Sequence, residues 1–230
     1  IAGVYGLGFV TVAASAAFGP LLGEGARKAR IVTAALGALA LAVLVISGAM
    51  RLSSGRLELT PTLVRIVQAD VPQASKWTPE AYQGIVDRYV NLTARPGAAT
   101  PDLIIWPEGA LPATANEVFA QDSPDAAAIA RAVQPGQSLI IGLGRGVADP
   151  SVPEGGRYFN SLFVLTDEGG DGLRIATVYD KYRLVPFGEF LPAGGLMGAP
   201  GVRALTHMPL DFSAGPRPAP IDIPGAPRAP

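Results

Sequence analysis

The sequence predicts a layered α/β domain behind two membrane-spanning helices, and three observations carry that prediction. Residues Ile1 to Leu22 and Ile31 to Met50 hold no charged side chain. From Leu63 onward, β-branched runs alternate with stretches whose apolar residues recur at helical spacing. A polar, glycine-rich segment, Asp167-Glu168-Gly169-Gly170-Asp171-Gly172, then separates two further apolar runs, as in a hairpin. Strand, helix, strand, helix, strand and hairpin together make the pattern of an α/β sandwich.

The apolar runs come first. About twenty helical residues, at roughly 1.5 Å each, cover a hydrocarbon core of about 30 Å. A charge at mid-bilayer costs roughly 2.5–3.5 kcal/mol on insertion scales, so uncharged runs of this length are expected to span. The spans are expected at about 3–22 and 31–50. The first contains Gly3, Gly6, Gly8, Gly19 and Pro20, which lipid tolerates where helices pack closely. A signal peptide or a buried core helix would match either run alone; two in tandem favour membrane spans. The connector Gly23 to Arg30 sets Arg27, Lys28 and Arg30 against Glu24, which by the positive-inside tendency places it on the cytoplasmic side. Residues 51–62 then form a linker, and 63–230 an extracytoplasmic domain in a periplasm-like space.

Composition agrees. Apolar residues make up 49% of the chain and charged residues only 16%, a balance that leans toward a membrane protein. A formal net charge of −1 gives no basic excess to neutralise phosphates, so nucleic acid is not an expected partner. The chain has no cysteine, hence no disulfide framework and no cysteine metal site. Its one histidine, His207, lies in a proline-rich loop without partners, so neither a Ser-His-Asp triad, a metal site nor a cofactor is expected. The chain opens on Ile1 rather than methionine and closes in a proline-rich run at Pro230, the ends expected of an internal stretch of a longer protein.

Within the globular part, Leu63 to Gln68 reads as a β-branched strand. Thr78 can cap a helix with Pro79 at its first position, where no backbone donor is needed. Tyr82, Ile85, Val86, Tyr89 and Val90 give that helix one apolar stripe. Leu103 to Trp106 is a short apolar run, as in a strand covered on both faces. Ser123-Pro124 starts a second helix through about Val133, with Ala127, Ile129, Ala130 and Val133 as its apolar face. Ser138 to Leu143 is the next strand, expected to end in Gly142-Leu143-Gly144-Arg145-Gly146. Glycine there could suggest a phosphate-binding turn, but no helix follows and the spacing is wrong; a strand end needing close backbone approach is the better reading. Tyr158 to Thr166 and Leu173 to Tyr179 are the hairpin strands. From Pro186 onward, proline and glycine density predicts loop, lid or arm.

Two carboxylates and one ammonium stand at the ends of these elements. Glu108, just past the Leu103 strand, should point into the crevice at the carboxyl edge of a sheet; a surface glutamate capping a helix is the alternative. Desolvation there is expected to raise its proton affinity, as a general base near neutrality requires. Lys181, after the second hairpin strand, can hold a carboxylate or stabilise negative charge developing on a carbonyl oxygen. A solvated strand-end lysine is the commoner fate of that residue type. Glu189, eight positions on, is either its partner or an ordinary loop charge. Trp77, alone before a helix, reads as an interface or packing tryptophan. Such a set holds the parts of an acid–base site that lacks a nucleophile.

Trp-Pro-Glu at 106–108, Tyr-Phe-Asn-Ser at 158–161 and Tyr-x-Lys-x-x-Leu-Val-Pro-Phe-Gly-Glu at 179–189 together resemble the nitrilase, or carbon-nitrogen hydrolase, superfamily and its Glu–Lys–Cys site. Gln68-Ala69-Asp70-Val71-Pro72-Gln73 through Lys76-Trp77, behind membrane spans, is similar to the apolipoprotein N-acyltransferase family within it. The similarity covers essentially the whole chain. It implies an αββα sandwich on the periplasmic side of a bacterial inner membrane. The implied reaction moves an acyl chain from a phospholipid onto a cysteine, then to the amino group of a diacylglyceryl apolipoprotein. By the motif match, Glu108 is the general base, Lys181 the transition-state stabiliser, Glu189 a supporting acid group, and Trp77 a substrate-binding residue near the acyl pocket. The loop after Pro186 matches mobile arms over the lipid entrance.

The family's cysteine would follow a segment like Gly215 to Ile223, beyond Pro230, so these 230 residues alone are expected to be inert. Ser161, within a strand and without a histidine, does not substitute. Two other functions fit the same residues: a membrane-tethered amidase or nitrilase that passes the acyl group to water, and a catalytically dead membrane scaffold.

Overall fold

The computed structural model describes residues 3–55, 59–152, 156–167, 172–191 and 211–226. It falls into two compact units, one through Leu59 and one from Thr60.

The first unit holds α1 (Gly3–Ala16), a 3-10 turn (Gly19–Leu22) and α2 (Arg27–Ser54). Gly3–Leu22 and Arg27–Ser54 are both long and apolar enough to cross a membrane, and only 6% and 11% of their apolar windows are buried in the protein. A core helix of a soluble domain would hide that surface. The two helices meet at small residues: a Cβ on Gly37 would lie 2.5 Å from the Ala14 carbonyl oxygen, so only glycine permits this approach. The basic connector is shorter than its composition suggests. Arg27, Lys28 and Arg30 belong to the first turn of α2, and the Arg30 guanidinium donates to the Leu21 carbonyl at 3.0 Å. At the other end α2 continues through Ser54 into the expected linker.

The second unit is built on one five-stranded sheet in the order β1 (Val64–Ile66), β2 (Leu103–Ile105), β3 (Ser138–Ala148), β4 (Gly156–Asp167), β5 (Leu173–Asp180). Pairing is parallel from β1 to β3 and antiparallel from β3 to β5. The parallel strands are joined through helices, as crossovers require. These are α3 (Pro79–Ala94) after β1, then α4 (Ala115–Val118) and α5 (Pro124–Ala132) after β2. This mixed sheet with helices is the nitrilase-like α/β architecture the motifs implied.

The helices cover one face. Ile85, Val86 and Tyr89 of α3, Val118 of α4 and Ile129 of α5 pack with Ile104, Leu139, Ile141, Leu143, Phe163 and Leu165 of the sheet. Trp106 anchors this layer: it stacks on Tyr89 at 4.7 Å between ring centroids and donates its indole N–H to the Thr93 hydroxyl at 2.8 Å. On the opposite face Leu103, Ile140 and Val164 meet Ile221 and Ile223. That C-terminal segment crosses the sheet and reaches β3, where the Ser138 hydroxyl donates to the Pro224 carbonyl at 2.7 Å.

Four local expectations need correction. Thr78 precedes α3 but makes no side-chain cap bond; its hydroxyl donates back to the Ser75 carbonyl instead. Ala127 is exposed, and the inward face of α5 is Asp125, Ile129 and Ala132, with the Asp125 carboxylate accepting the Tyr82 hydroxyl at 2.6 Å. β3 does not stop at Leu143 but runs through the glycines to Ala148. Glycines at 142, 144 and 146 share one face of a period-two strand, so they bare that face without ending the ladder. Helix α4 has no counterpart in the sequence reading. The hairpin strands pair as expected, while the turn residues 168–171 lie outside the described residues.

Candidate active site

Glu108 is set by the turn that follows β2. The Trp106 N–H donates to the Ile140 carbonyl at 2.8 Å and the Ala110 N–H to the Gly142 carbonyl at 3.0 Å, so the turn is stitched to β3 on both sides of Glu108. Gly109 closes it with φ of 56°, a conformation that favours glycine. The Lys76 ammonium donates to the Gly109 carbonyl, and burial lowers its proton affinity.

Asn160 comes from β4 and Lys181 from the residue after β5. The ladder extends one rung past β5, with the Lys181 N–H donating to the Asn160 carbonyl at 2.8 Å. Glu189 is delivered by the Leu184 to Phe190 loop. There the Glu189 N–H donates to the Val185 carbonyl at 2.8 Å and its carboxylate accepts the Val185 N–H at 2.7 Å. Phe187 takes a φ of 63° to make this reversal, a strained choice for a bulky residue.

The structure brings all three sequence-selected polar residues together. The Lys181 ammonium lies 2.9 Å from Glu108 Oε1 and 3.1 Å from Glu189 Oε1. Asn160 bridges the same two oxygens, its amide donating to Glu108 and, at 2.6 Å, to Glu189. Two carboxylates are thus joined by one ammonium and one amide. Their burial differs: the Glu189 side chain is 10% exposed and that of Glu108 62%. Glu189 is therefore the anchored partner of Lys181, not an ordinary loop charge, and Glu108 is the one open to an incoming group.

The electrostatics correct one expectation. The Lys181 hydrogen bond holds Glu108 below the usual carboxylate range; burial opposes this and the Asn160 bond reinforces it. Glu108 is an ionised, paired carboxylate rather than a desolvated one with raised proton affinity. For Lys181, burial favours the neutral amine, but the bonds to Glu108 and Glu189 outweigh it and raise its proton affinity above the ordinary lysine value.

Trp77 stands apart from this cluster. It is 66% exposed and, with Pro79, Tyr82, Pro112 and Ala113, lines an open groove of about 460 Å³. Ser161 is buried and donates to Asp180 at 2.7 Å, so its hydroxyl is committed to structure. His207 and most of the loop beyond Leu191 lie outside the described residues. Asn160 joins the site without a sequence signal as direct as those of Glu108 and Lys181. Its place in Tyr-Phe-Asn-Ser, on a strand next to the one that leads to Lys181, was the available signal.

The carbon-nitrogen hydrolase family pattern matches residues 63–197. The apolipoprotein N-acyltransferase of Caulobacter vibrioides is 42% identical over 97% of this chain and 41% of its own length. Those of Rhizobium meliloti and Rhodopseudomonas palustris are 36% and 34% identical over 90% and 99% of this chain. The chain spans 38% to 42% of the length of these relatives.

Proposed function

Because the chain belongs to the carbon-nitrogen hydrolase family, we propose that it forms part of a membrane acyltransferase that N-acylates lipoproteins. The acyl donor is a phospholipid and the acceptor the amino group of a diacylglyceryl-cysteine apolipoprotein. A cysteine thiol contributed by sequence outside these 230 residues, which contain none, carries the acyl group between them.

The steps follow from the charges. Glu108 takes the thiol proton as sulfur attacks the donor ester carbonyl. The tetrahedral oxyanion draws the Lys181 ammonium, which in leaving Glu108 restores proton affinity to that carboxylate. Collapse forms the thioester, and the lysophospholipid alkoxide leaves with the proton from Glu108. In the second half the acceptor amine attacks the thioester, Glu108 removes its proton, and the thiolate leaves and is reprotonated. Glu189 stays paired with Lys181 as the ammonium turns from Glu108 to the oxyanion, and Trp77 lines the approach for an acyl chain. The protein sits in the bacterial inner membrane, with the catalytic unit on the periplasmic side opposite Arg27, Lys28 and Arg30.

The observation that carries this reading is the Lys181 ammonium held within hydrogen-bond reach of both Glu108 and Glu189. The test uses the full-length protein and a phospholipid labelled in its acyl chain. A hydroxylamine-sensitive acyl-protein should form and then discharge its label onto a diacylglyceryl lipopeptide amine. Glu108→Gln should form none; an undiminished acyl-enzyme in that variant removes Glu108 from its role. Release of free fatty acid in place of transfer would favour the hydrolase alternative, and a full-length protein without cysteine the scaffold.

A further inference from the structure

Two dipeptides face each other across the end of the β4–β5 hairpin. Ser161 is paired with Asp180 in the ladder, and the Lys181 N–H donates to the Asn160 carbonyl. Side chains alternate along a strand, so Asn160 and Lys181 emerge on one face and Ser161 and Asp180 on the other. The first two hold Glu108 and Glu189. The second two belong to a separate polar group, around which the proposed reaction has no step.

That group is built on Asp180. Its Oδ1 accepts Arg145 Nε at 2.9 Å and the Ser161 hydroxyl at 2.7 Å, and its Oδ2 accepts Arg145 Nη2 at 2.6 Å. Two parallel N–H donors from one guanidinium fix a carboxylate in angle as well as distance. The guanidinium lies 4.8 Å from the centroid of the Phe159 ring, the residue paired with Arg145 across β3 and β4. The pair is mostly buried, with side-chain exposures of 27% and 13%. Burial pushes the Asp180 carboxyl up, but Arg145 and Ser161 together hold it below its usual value.

We propose that Arg145 and Ser161, by clamping Asp180 on one face of the sheet, position the Lys181 ammonium between Glu108 and Glu189 on the other. Asp180 and Lys181 share a peptide unit. A rotation of the Asp180 backbone must therefore redirect Lys181, and the bidentate Arg145 contact resists that rotation. Ser161 does the same for Asn160 from the neighbouring strand. Arg145, Asp180 and Ser161 are positioning residues: none reaches the site directly. The inference rests on the roles given above to Glu108 and Lys181.

The test measures the full-length protein with a labelled phosphatidylethanolamine donor and a diacylglyceryl lipopeptide acceptor. Arg145→Met and Asp180→Asn are compared with Glu108→Gln and Lys181→Met. The clamp variants should lose ten- to a hundred-fold in kcat, the order that a misplacement of about 1 Å costs, with KM for either substrate within two-fold. The acid limb of kcat/KM should move to higher pH. Glu108 faces Lys181, Asn160 and Glu189, with Lys76 at the adjoining Gly109 carbonyl, and Lys181 is the cation that keeps it ionised. Should Arg145→Met fail to accumulate, Arg145→Lys keeps the charge but not the planar two-nitrogen fork, and should give a smaller shift in the same direction. Unchanged kcat and acid limb in well-folded clamp variants, with Glu108→Gln and Lys181→Met inactive, overturns the clamp alone. Active Glu108→Gln and Lys181→Met variants would overturn the catalytic assignment beneath it. A clamp-variant loss that tracks the folded fraction, with no movement of the acid limb, reduces the clamp to a stabilising ion pair and also overturns the proposal.

Discussion

A Cβ on Gly142 would lie 2.6 Å from the Cα of Glu108 and 2.9 Å from the Pro107 carbonyl oxygen. The turn bearing Glu108 rests directly on the β3 backbone, and only a residue without a side chain lets it do so. Gly142→Ala must push that turn outward, carrying the Glu108 carboxylate from Lys181 and Asn160. The expected result in the full-length protein is a kcat loss of about a hundred-fold, the order attached to a 1 Å misplacement. Gly136→Ala is not a fair control, because Gly136 has a φ of 85°. Gly84, which is helical and has nothing within 4 Å of its would-be Cβ, is, and Gly84→Ala should leave activity unchanged.

Glu189 should contribute to stability as well as to the site. It is 7% exposed and accepts from the partly buried Lys181 ammonium and Asn160 amide as well as the Val185 N–H, so Glu189→Ala leaves these donors without that partner. That costs about 1–3 kcal/mol, and each kcal/mol lowers Tm by about 2–4 °C in a domain of 150–250 residues. Glu189→Gln keeps an acceptor for Val185 and should lose much less. Thermal unfolding of the three proteins side by side checks this.

The pH dependence follows from the directions of the two shifts. Glu108 binds its proton more weakly folded than unfolded, so its contribution is present above the unfolded carboxylate value of about 4.3 and fades as pH falls through the lower folded value. Lys181 binds its proton more tightly when folded. Its contribution is complete below the unfolded lysine value of about 10.4 and fades as pH rises through the higher folded one. The pair should therefore stay intact across the whole range between. Replacing Lys181 by methionine should raise the Glu108 carboxyl toward its ordinary value, as read from carboxyl NMR titration.

Trp77 offers a test of binding apart from stability. Two-thirds of its surface is open, so Trp77→Ala should change unfolding free energy by no more than about 0.5 kcal/mol. If the groove it lines takes an acyl chain, the same change should raise KM for the phospholipid and leave the acid limb in place.

How far the sequence revealed this depends on the kind of signal. Pro79 and Ser123-Pro124 mark helix starts because their chemistry is local, and the Ser123 side chain does accept the Ala126 N–H. The same logic would have found α4: Thr114 and Glu117 form a reciprocal capping box, a spacing that can be read directly. The β3 glycines are half legible: the close backbone approach they imply is there, at the Glu108 turn, but the strand runs on past them to Ala148. Ala127 reads as inward because alanine is apolar; the inward polar residue Asp125 depends on Tyr82, 43 positions away. The direction of the Glu108 shift was missed for a similar reason. Burial can be guessed from a strand end, but a partner 73 residues distant cannot be weighed against it from pattern alone.

That separation also shapes how the site is assembled. The β4–β5 hairpin needs only neighbouring chain, so Asn160 and Lys181 can be adjacent early, while the Glu108 link must close a loop spanning two helices and a strand. Loop-closure entropy is overcome late for such contacts. The Glu108–Lys181 contact is therefore expected to close after the hairpin, and a chain arrested before it would carry a formed hairpin whose lysine still awaits its carboxylate.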